Sequence, residues 1–335
     1  AGHSAKLRWQ WAMTVGQLDA KRAVPSLKDL APAAATDADV RIAWLSSVQP
    51  HMGTLAIEML AGDTEPVLPL LVELGRLIGS SGINETASVL AAVTRPTIPA
   101  ATRTSFLTAL GEGLRRRGSS IAKVAEEGRS VGLPTALAAV FDQASAKALE
   151  TSAPESARLA AIALLAQGDG AVAGRSLPDL LTPQASSALQ QAAVKALMAS
   201  GADGAATTIL TPWKAFGPAT RREVVDQLIS SAAGATTLIK AVDAGAVKVG
   251  DIERDKRQLL LNHPNLMVRD AARKVIGDPP SNRKQVVADY QPALELQGSV
   301  ERGQMLYGKT CVQCHRAGTL GHQVGPHLVS VQNKS

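Results

Sequence analysis

The segment APESARLAAIALLAQG (Ala153–Gly168) contains the pattern that decides the fold. Its apolar residues recur at helical spacing, a Pro lies just inside the predicted helix start, and a Gly closes the segment. Two further segments share this plan: TPQASSALQQAAVKALMASG (Thr182–Gly201) and GPATRREVVDQLISSAAG (Gly217–Gly234). Their apolar doublets begin 33 and 31 residues apart. This period predicts stacked helical hairpins, an α-solenoid in which each hairpin buries its apolar face against its neighbours.

Further segments follow the same plan less closely. They are IPAATRTSFLTALGEG (Ile98–Gly113), TDADVRIAWLSSV (Thr36–Val48) and HPNLMVRDAARKVIG (His263–Gly277). The last two resemble HEAT repeats, which implies a HEAT-like α-solenoid. In such repeats an Arg of the second helix pairs with an Asp of an adjacent turn. The resemblance assigns that role to Arg41, Arg158, Arg221 and Arg269. An irregular helical array with coincidental spacing is the alternative.

The composition agrees with an all-α fold. The 335 residues are 45% hydrophobic but only 3% aromatic, so the core must consist of Ala, Leu, Val and Ile, which suit close-packed helices better than sheets. The net charge of +6 is too small for this length to indicate a nucleic-acid binder. No Ser/His/Asp triad, phosphate-binding glycine loop or carboxylate pair stands out, so the sequence predicts no catalytic residue.

The start of the chain, AGHSAKLRWQWAM, has neither an initiator Met nor the apolar stretch of a signal peptide. We therefore expect the chain to be the interior of a longer protein, with any signal upstream of Ala1. The longest run without a charged residue, Ile42–Ile57, has 16 residues and contains Pro50. It is too short and too polar to predict a transmembrane span.

The helical pattern ends at IGDPPSNRKQ (Ile276–Gln285), because the Gly and the two prolines of this stretch cannot continue a helix. We assign residues 1–277 to the repeat domain, 278–297 to a linker and 298–335 to a further domain. In that domain Ser299 is the predicted N-cap of a helix that runs to about Gly308.

Both cysteines of the chain lie in YGKTCVQCHRAG (Tyr307–Gly318), as Cys311 and Cys314, and His315 follows directly. Cys-x-x-Cys-His is the attachment signature of c-type haem. Two thiols three residues apart on a tight turn can reach the two vinyl groups of one porphyrin, and the adjacent imidazole then faces the iron. The motif predicts haem c bound covalently through Cys311 and Cys314, with His315 as the metal ligand.

Two other kinds of site share this spacing. A zinc knuckle would need both cysteines and two of His315, His322 and His327, and the chain would then be a non-redox interaction scaffold. A redox dithiol is expected at a strand-to-helix junction, whereas a helix is predicted before this motif. Both remain alternatives to haem attachment.

The stretch GQMLYGKTCVQCHRAGTLGHQVGPHL (Gly303–Leu328) resembles the N-terminal half of a class I cytochrome c domain. The resemblance implies that Gly303 and Tyr307 contact a C-terminal helix. It also implies that the Pro326 carbonyl accepts from the free ring N–H of His315 and that Leu328 lies against the haem face.

The chain departs from this family after the motif. No Met follows that could be the distal ligand, and no closing helix is expected before Ser335. His322 and His327 are the later candidates for a second axial ligand, although both lie in the stretch that lines the proximal side in the family. We therefore interpret residues 298–335 as a partial c-type cytochrome domain.

The HEAT-like repeats are followed by Y-x-x-A-L-x-L-x-G-x-x-x-R-G (Tyr290–Gly303) and then by Cys-x-x-Cys-His. This order resembles haem-binding proteins of planctomycete- and verrucomicrobia-type bacteria, often labelled membrane-bound dehydrogenase-like. Members place a β-propeller before the repeats; this sequence has none, so the dehydrogenase activity is not carried over. The predicted covalent haem indicates an electron-transfer module. Because haem attachment of this type occurs outside the cytoplasm, we expect a location in the periplasm or cell envelope. The expected partner is a redox protein or an upstream domain, with the repeats as spacer and docking scaffold.

Overall fold

The computed structural model describes residues 5–129, 132–277, 282–322, 324–325 and 327–331. Internal contacts divide the chain into two units, Ala1–Gly277 and Asp278–Ser335. Regular structure in these ranges is almost entirely helical, and the strands there are two of two residues each. The predicted all-α fold is therefore confirmed. Within the same ranges, no helix combines the length and the apolar character needed to cross a membrane.

The described part of the first unit consists of α-helices joined by short turns. In chain order they are α1 Ala5–Val15, α2 Ala20–Thr36, α3 Ala38–Ser47, α4 Met52–Leu60, α5 Leu68–Ser81, α6 Thr86–Val93, α7 Ala100–Arg116, α8 Ile121–Glu127, α9 Leu133–Leu149, α10 Glu155–Leu165, α11 Gly170–Ser176, α12 Ser187–Ser200, α13 Ala205–Leu210, α14 Pro218–Ile229, α15 Ala232–Asp243, α16 Arg254–Leu261 and α17 Leu266–Ile276. Short 3₁₀ helices lie at Gln49–His51, Leu177–Leu180, Trp213–Ala215 and Val249–Asp251.

Two rows of helices run through the first unit. Along one row each helix packs on the next: α5 on α7, α7 on α10, α10 on α12, α12 on α14 and α14 on α16. In the second row α9 packs on α11, α13 on α15 and α15 on α17. Contacts between consecutive helices, such as α9 with α10 and α14 with α15, join the rows. Each helix of the first row, from α5 to α16, is thus in contact with the next helix of that row.

The three segments that define the repeat plan all contribute a helix to the first row, as α10, α12 and α14. Leu164, Leu165, Leu197 and Leu228 from their apolar doublets are at most 1% exposed. They belong to one continuous cluster of buried side chains, most of which are Leu, Val, Ile and Ala. The predicted aliphatic core is confirmed for most of the cluster, but Trp44 and Phe106 are its largest fully buried side chains.

Prolines and glycines mark the helix ends differently from the prediction. Pro218 is the first residue of α14 as expected, but Pro154 is the N-cap of α10 and Pro183 precedes α12. Gly201 closes α12 with φ +70°, a conformation that favours glycine. Gly234 instead lies inside α15, where a Cβ would sit 2.4 Å from a carbonyl oxygen of α14. That glycine permits a close approach and does not end a helix.

Helices α5 and α7 approach each other through glycines. A Cβ on Gly79 of α5 would lie 2.2 Å from the Leu110 carbonyl oxygen, and one on Gly113 of α7 would lie 2.3 Å from the Arg76 carbonyl oxygen. Because these obstacles are backbone atoms, the two helix axes can be this close only without side chains at these positions.

Three of the four arginines that the HEAT resemblance assigns do not pair with Asp as expected. Arg41, Arg158 and Arg221 each occupy the fourth position of their helix, and each donates to backbone carbonyls of the segment before it. The acceptors are Ala34 and Ala35 at 3.1 and 2.6 Å, Ala148 at 2.9 Å, and Trp213 and Lys214 at 3.1 and 3.3 Å. The expected Arg–Asp pairing is wrong for these three, because the carbonyls at the end of the preceding helical segment attract the guanidinium.

The same helix position has the same role in two further helices of the first row. In α7 it holds Arg103, which donates to the Ile98 carbonyl at 2.9 Å. In α12 it holds Gln190, which donates to the Thr182 carbonyl at 2.7 Å. In several helices of the first unit, the side chain at the fourth helix position therefore donates to a carbonyl of the preceding segment.

Ion pairs link successive helices of the first row. They are Lys195–Glu223 at 3.0 Å between α12 and α14, and Arg222–Glu253 at 2.7 Å and Lys256–Asp226 at 2.5 Å between α14 and α16 with its N-cap. The Asp226 carboxylate raises the pKa of the Lys256 ammonium through its hydrogen bond. Each partly exposed pair of this kind contributes little to the free energy of unfolding. We therefore expect the pairs to fix how neighbouring helices align more than to stabilise their packing.

The second unit contains two helices, α18 Asn282–Tyr290 and α19 Val300–Thr310, among its described residues. Between them lies a 3₁₀ helix, Gln291–Glu295, so most of the predicted linker is helical. Strands β1 Arg316–Ala317 and β2 Leu320–Gly321 pair antiparallel, and a 3₁₀ helix follows at Leu328–Val331.

Candidate functional site

Helix α19 leads the chain to the two cysteines. The Ser299 hydroxyl accepts from the Arg302 amide at 3.2 Å, and Glu301 lies in the first turn, where the helix dipole favours an anion. Ser299 is therefore the N-cap, as predicted. The helix ends at Thr310, two residues beyond the predicted end.

Residues Cys311–His315 form a turn at the end of α19, which we call the motif turn. The Cys311 amide donates to the Tyr307 carbonyl at 2.9 Å, and the His315 amide donates to the Cys311 carbonyl at 2.9 Å. Both cysteines are free thiols; Cys311 is half-buried and Cys314 is exposed. The helix thus stops before the first thiol, and one turn carries both thiols and the imidazole.

A short hairpin folds back onto the motif turn. Arg316 of β1 pairs with Gly321 of β2, and Gly318 between them has φ +60°, which suits the first turn position of a tight hairpin. Beyond the hairpin the His322 amide donates to the Val312 carbonyl at 3.0 Å. The motif turn is therefore held from the helix side and from the hairpin side.

The His315 ring lies directly against the backbone of Gly325. A Cβ on Gly325 would be 2.7 Å from the ring Cε1 and 2.9 Å from Nδ1, and the Gly325 amide donates to the Cys314 carbonyl at 2.6 Å. The Nδ1 edge of the ring therefore faces Gly325. Pro326, whose carbonyl was expected to accept from this ring, lies outside the described residues.

The remaining predicted site residues lie after the hairpin. Leu328 begins the last 3₁₀ helix and is half-buried. His322 is exposed, and the His327 Nδ1 accepts from the Val329 amide at 3.3 Å. The proposed contact of Leu328 with a haem face stays a prediction.

The role of the Tyr307 hydroxyl was not predicted from the sequence. The resemblance to class I cytochrome c assigns this side chain to a contact with a C-terminal helix, whereas the hydroxyl donates to the His315 carbonyl at 2.5 Å and lies 3.3 Å from the Leu320 carbonyl. Its position four residues before Cys311 gave no indication of this bond, because an aromatic ring at helical spacing usually indicates packing.

Comparison with known protein families, with curated proteins and with solved structures found no match. The site is therefore judged on its own geometry and chemistry.

That geometry fits a covalently bound haem. The two thiols are unpaired and stand on one turn with the imidazole, and the missing Cβ of Gly325 leaves room for the ring beside it. None of the described side chains from 285 to 329 is fully buried. The large apolar side chains that stay exposed near the turn are Met305, Leu306, Leu320, Val324 and Val329. A unit this small needs an apolar core or a bound group to be stable, and a porphyrin would supply apolar surface for these side chains to cover.

The described residues contain no group of three or more His, Cys, Asp and Glu side chains close enough to hold a metal ion. A zinc knuckle would need its histidines moved toward the two thiols. Haem attachment needs two thiols and one imidazole on one short turn, and the motif turn carries all three.

Proposed function

We propose that this chain is an electron-transfer protein that carries one c-type haem bound covalently through Cys311 and Cys314, with His315 as an axial ligand. The bound haem supplies a one-electron iron couple, and the chain's own residues bind it, orient the imidazole and shield the group from water. Leu328 and Pro326 complete the proposed haem surroundings.

The observation that carries this proposal is the motif turn that follows the end of α19 at Thr310. Its His315 amide donates to the Cys311 carbonyl at 2.9 Å, and this bond keeps Cys311, Cys314 and His315 on a single turn. Residues three and four apart on one turn lie next to each other on the same face. Both thiols and the imidazole then belong to one short loop of the kind that a single porphyrin can bridge.

We propose further that the first unit is a HEAT-like α-solenoid that serves as spacer and docking scaffold. Supporting this are the first row of helices, in which each helix packs on the next, the partial second row, and the repeated bond from the fourth helix position. Arrays of this type present extended surfaces to partners. The partner would be a redox protein or a further domain.

A periplasmic or cell-envelope location follows from the same proposal, because c-type haem is attached outside the cytoplasm. The proposal assigns no substrate and no catalytic residue to the described chain. Its activity is the acceptance and donation of one electron.

The test is a reduced-minus-oxidised visible spectrum of the full chain, exported to a compartment that attaches c-type haem. We expect haem bands that survive acid-acetone extraction and that disappear completely in the Cys311→Ser, Cys314→Ser double variant. The helical circular-dichroism signal of the double variant should be nearly unchanged, since repeat units depend mainly on their neighbours.

The ligand assignment has a matched control. His315→Ala should lose the spectrum of an imidazole-ligated haem, whereas His322→Ala, which removes an exposed imidazole seven residues later, should keep it. A colourless wild-type protein that binds zinc through its cysteines would contradict the proposal and favour the interaction scaffold.

A further inference from the structure

Tyr307 is the side chain of α19 that the second unit covers most. It is half-buried, whereas the other described positions from 301 to 310 are exposed. Its hydroxyl donates to the His315 carbonyl at 2.5 Å and is 3.3 Å from the Leu320 carbonyl. One hydroxyl therefore joins the helix, the motif turn and the hairpin.

Gly321 encloses the same carbonyl from the hairpin side. It has φ +93°, and a Cβ there would lie 2.1 Å from the His315 carbonyl oxygen and 2.9 Å from the Tyr307 hydroxyl. A residue with a side chain would therefore displace either the carbonyl or the hydroxyl. The position of the His315 carbonyl is thus fixed between two specific contacts.

The backbone and the ring of His315 are consequently held at three points. Its amide donates to the Cys311 carbonyl at 2.9 Å, its carbonyl accepts from Tyr307, and its ring rests on Gly325. Of these, the amide bond and the glycine contact come from within the loop itself. The Tyr307 hydroxyl is the contact that ties the residue to α19.

We propose that Tyr307 is a positioning residue for the axial imidazole: its hydroxyl anchors the His315 backbone and so fixes the direction in which the ring is presented to the iron. This inference rests on the proposed function. It assigns to Tyr307 a polar role toward the ligand residue, different from the helix-crossing role that its aromatic ring suggests.

Loss of the hydroxyl would leave the His315 carbonyl without this donor while the ring of Tyr307 stays in place. Removing one partner of a hydrogen bond typically changes an equilibrium about fivefold. In Tyr307→Phe we therefore expect the equilibrium between imidazole-ligated and imidazole-released haem, measured at one fixed urea concentration, to shift about fivefold toward release.

The experiment uses the full chain with haem attached and three variants. Tyr307→Phe removes the hydroxyl, Gly321→Ala pushes a methyl group against the same carbonyl, and Tyr290→Phe is the matched control. Tyr290 and Tyr307 are the two tyrosines of the chain, and Tyr290 is 72% exposed. Two quantities are measured: the release equilibrium in urea from the visible spectrum, and the iron–imidazole stretching band of the reduced protein in native buffer.

We expect Tyr307→Phe and Gly321→Ala both to favour release and to shift or broaden the stretching band, with Tyr290→Phe unchanged in both. In the Gly321→Ala background, Tyr307→Phe should have a smaller effect, because both act on one carbonyl.

A purely structural role of Tyr307 would lower the urea midpoint but leave the stretching band in native buffer as in the wild type, and this result would overturn the inference. An unchanged release equilibrium in both variants would overturn it as well. A wild-type chain without haem ends the proposed function, whereas a haem-bearing wild type with an unaffected Tyr307→Phe ends this inference alone.

Discussion

Replacement of Gly79 by Ala tests the packing of the helix rows most sharply. The added Cβ would lie 2.2 Å from the Leu110 carbonyl oxygen, 2.8 Å from the Leu114 amide nitrogen and 3.0 Å from the Gly113 Cα. All three are backbone atoms of α7, so no side chain can rotate to make room. Helices α5 and α7 would have to separate by about 1.2 Å to restore an ordinary contact of 3.4 Å.

The expected loss in the free energy of unfolding follows from the side-chain contacts that this separation weakens. A gap of about 1 Å forfeits roughly half of the dispersion energy of the contacts across it, or about 1.5 kcal/mol for a Leu with about 20 such contacts. The backbone atoms of Leu110 and Leu114 contact Gly79, and both side chains are at most 1% exposed, so together they lose about 3 kcal/mol. Replacing Gly by Ala in a helix returns about 1 kcal/mol. We therefore expect Gly79→Ala to lower the free energy of unfolding by about 2 kcal/mol.

The assay is a urea titration followed by far-ultraviolet circular dichroism. With a dependence on urea of about 3 kcal/mol per molar, the midpoint should fall by about 0.7 M. Gly174→Ala is the matched control, because it makes the same change in helix α11 at a position where the new Cβ meets its nearest neighbour at 3.4 Å. Its midpoint should equal or exceed that of the wild type. A Gly79→Ala protein as stable as the wild type would refute the close packing of α5 on α7.

Three further results are expected. Arg221→Met removes two bonds to carbonyls and a stacking contact on an indole, and should lower the free energy of unfolding in urea by about 2 kcal/mol. Gly325→Ala places a Cβ 2.7 Å from the His315 ring and should shift the iron–imidazole stretching band of the reduced, haem-bearing protein. The pKa of the Glu150 carboxyl is lowered, first by its hydrogen bond from Lys147, so Lys147→Met should raise that pKa in a carbon-13 NMR titration. Because the folded-state pKa is the lower one, this pair stabilises the fold above the unfolded-state pKa of Glu150, and its contribution is lost as the pH falls through the folded-state value.

Each of these predictions has a control and a contradicting outcome. Arg116→Met changes an exposed arginine at the end of α7 and should leave the urea midpoint unchanged; an equal effect in both variants would argue against a specific role of the fourth helix position. Gly298→Ala meets nothing within 4 Å and should leave the stretching band in place, so a band unaffected by Gly325→Ala would contradict the ring contact. Lys147→Arg retains a cation and should keep the pKa of Glu150 low. An unchanged pKa in Lys147→Met would show that another group lowers it.

The helical nature of the first unit could be predicted because apolar spacing is a local property of the sequence. Leu164, Leu197 and Leu228 recur with the period of a hairpin, and burial of these side chains requires helices whatever their partners are. The partner of Arg158 could not be predicted in this way. Its acceptor is a backbone carbonyl at the end of α9. Because every residue has a backbone carbonyl, the residue type does not show which carbonyl accepts a bond.

For the candidate site, too, the residues could be predicted from the sequence but their contacts could not. Cys311, Cys314 and His315 could be singled out because the chemistry of haem attachment requires these residue types at this spacing. The contacts that hold them came from the structure: the Tyr307 hydroxyl on a carbonyl, and the bare backbone of Gly325 against the imidazole. Both contacts depend on how the chain folds back at and after the hairpin Arg316–Gly321. A hairpin this short has no periodic sequence pattern from which its path could be predicted.

The mass of the intact protein tests the central claim most directly. The full chain, exported to a compartment that attaches c-type haem, is purified, denatured and weighed beside the Cys311→Ser, Cys314→Ser double variant. The account predicts that the wild-type chain is heavier than its sequence by the mass of one haem, and that the double variant has the mass of its sequence alone. A wild-type chain with the mass of its sequence alone, in cells that load another c-type cytochrome normally, would contradict it.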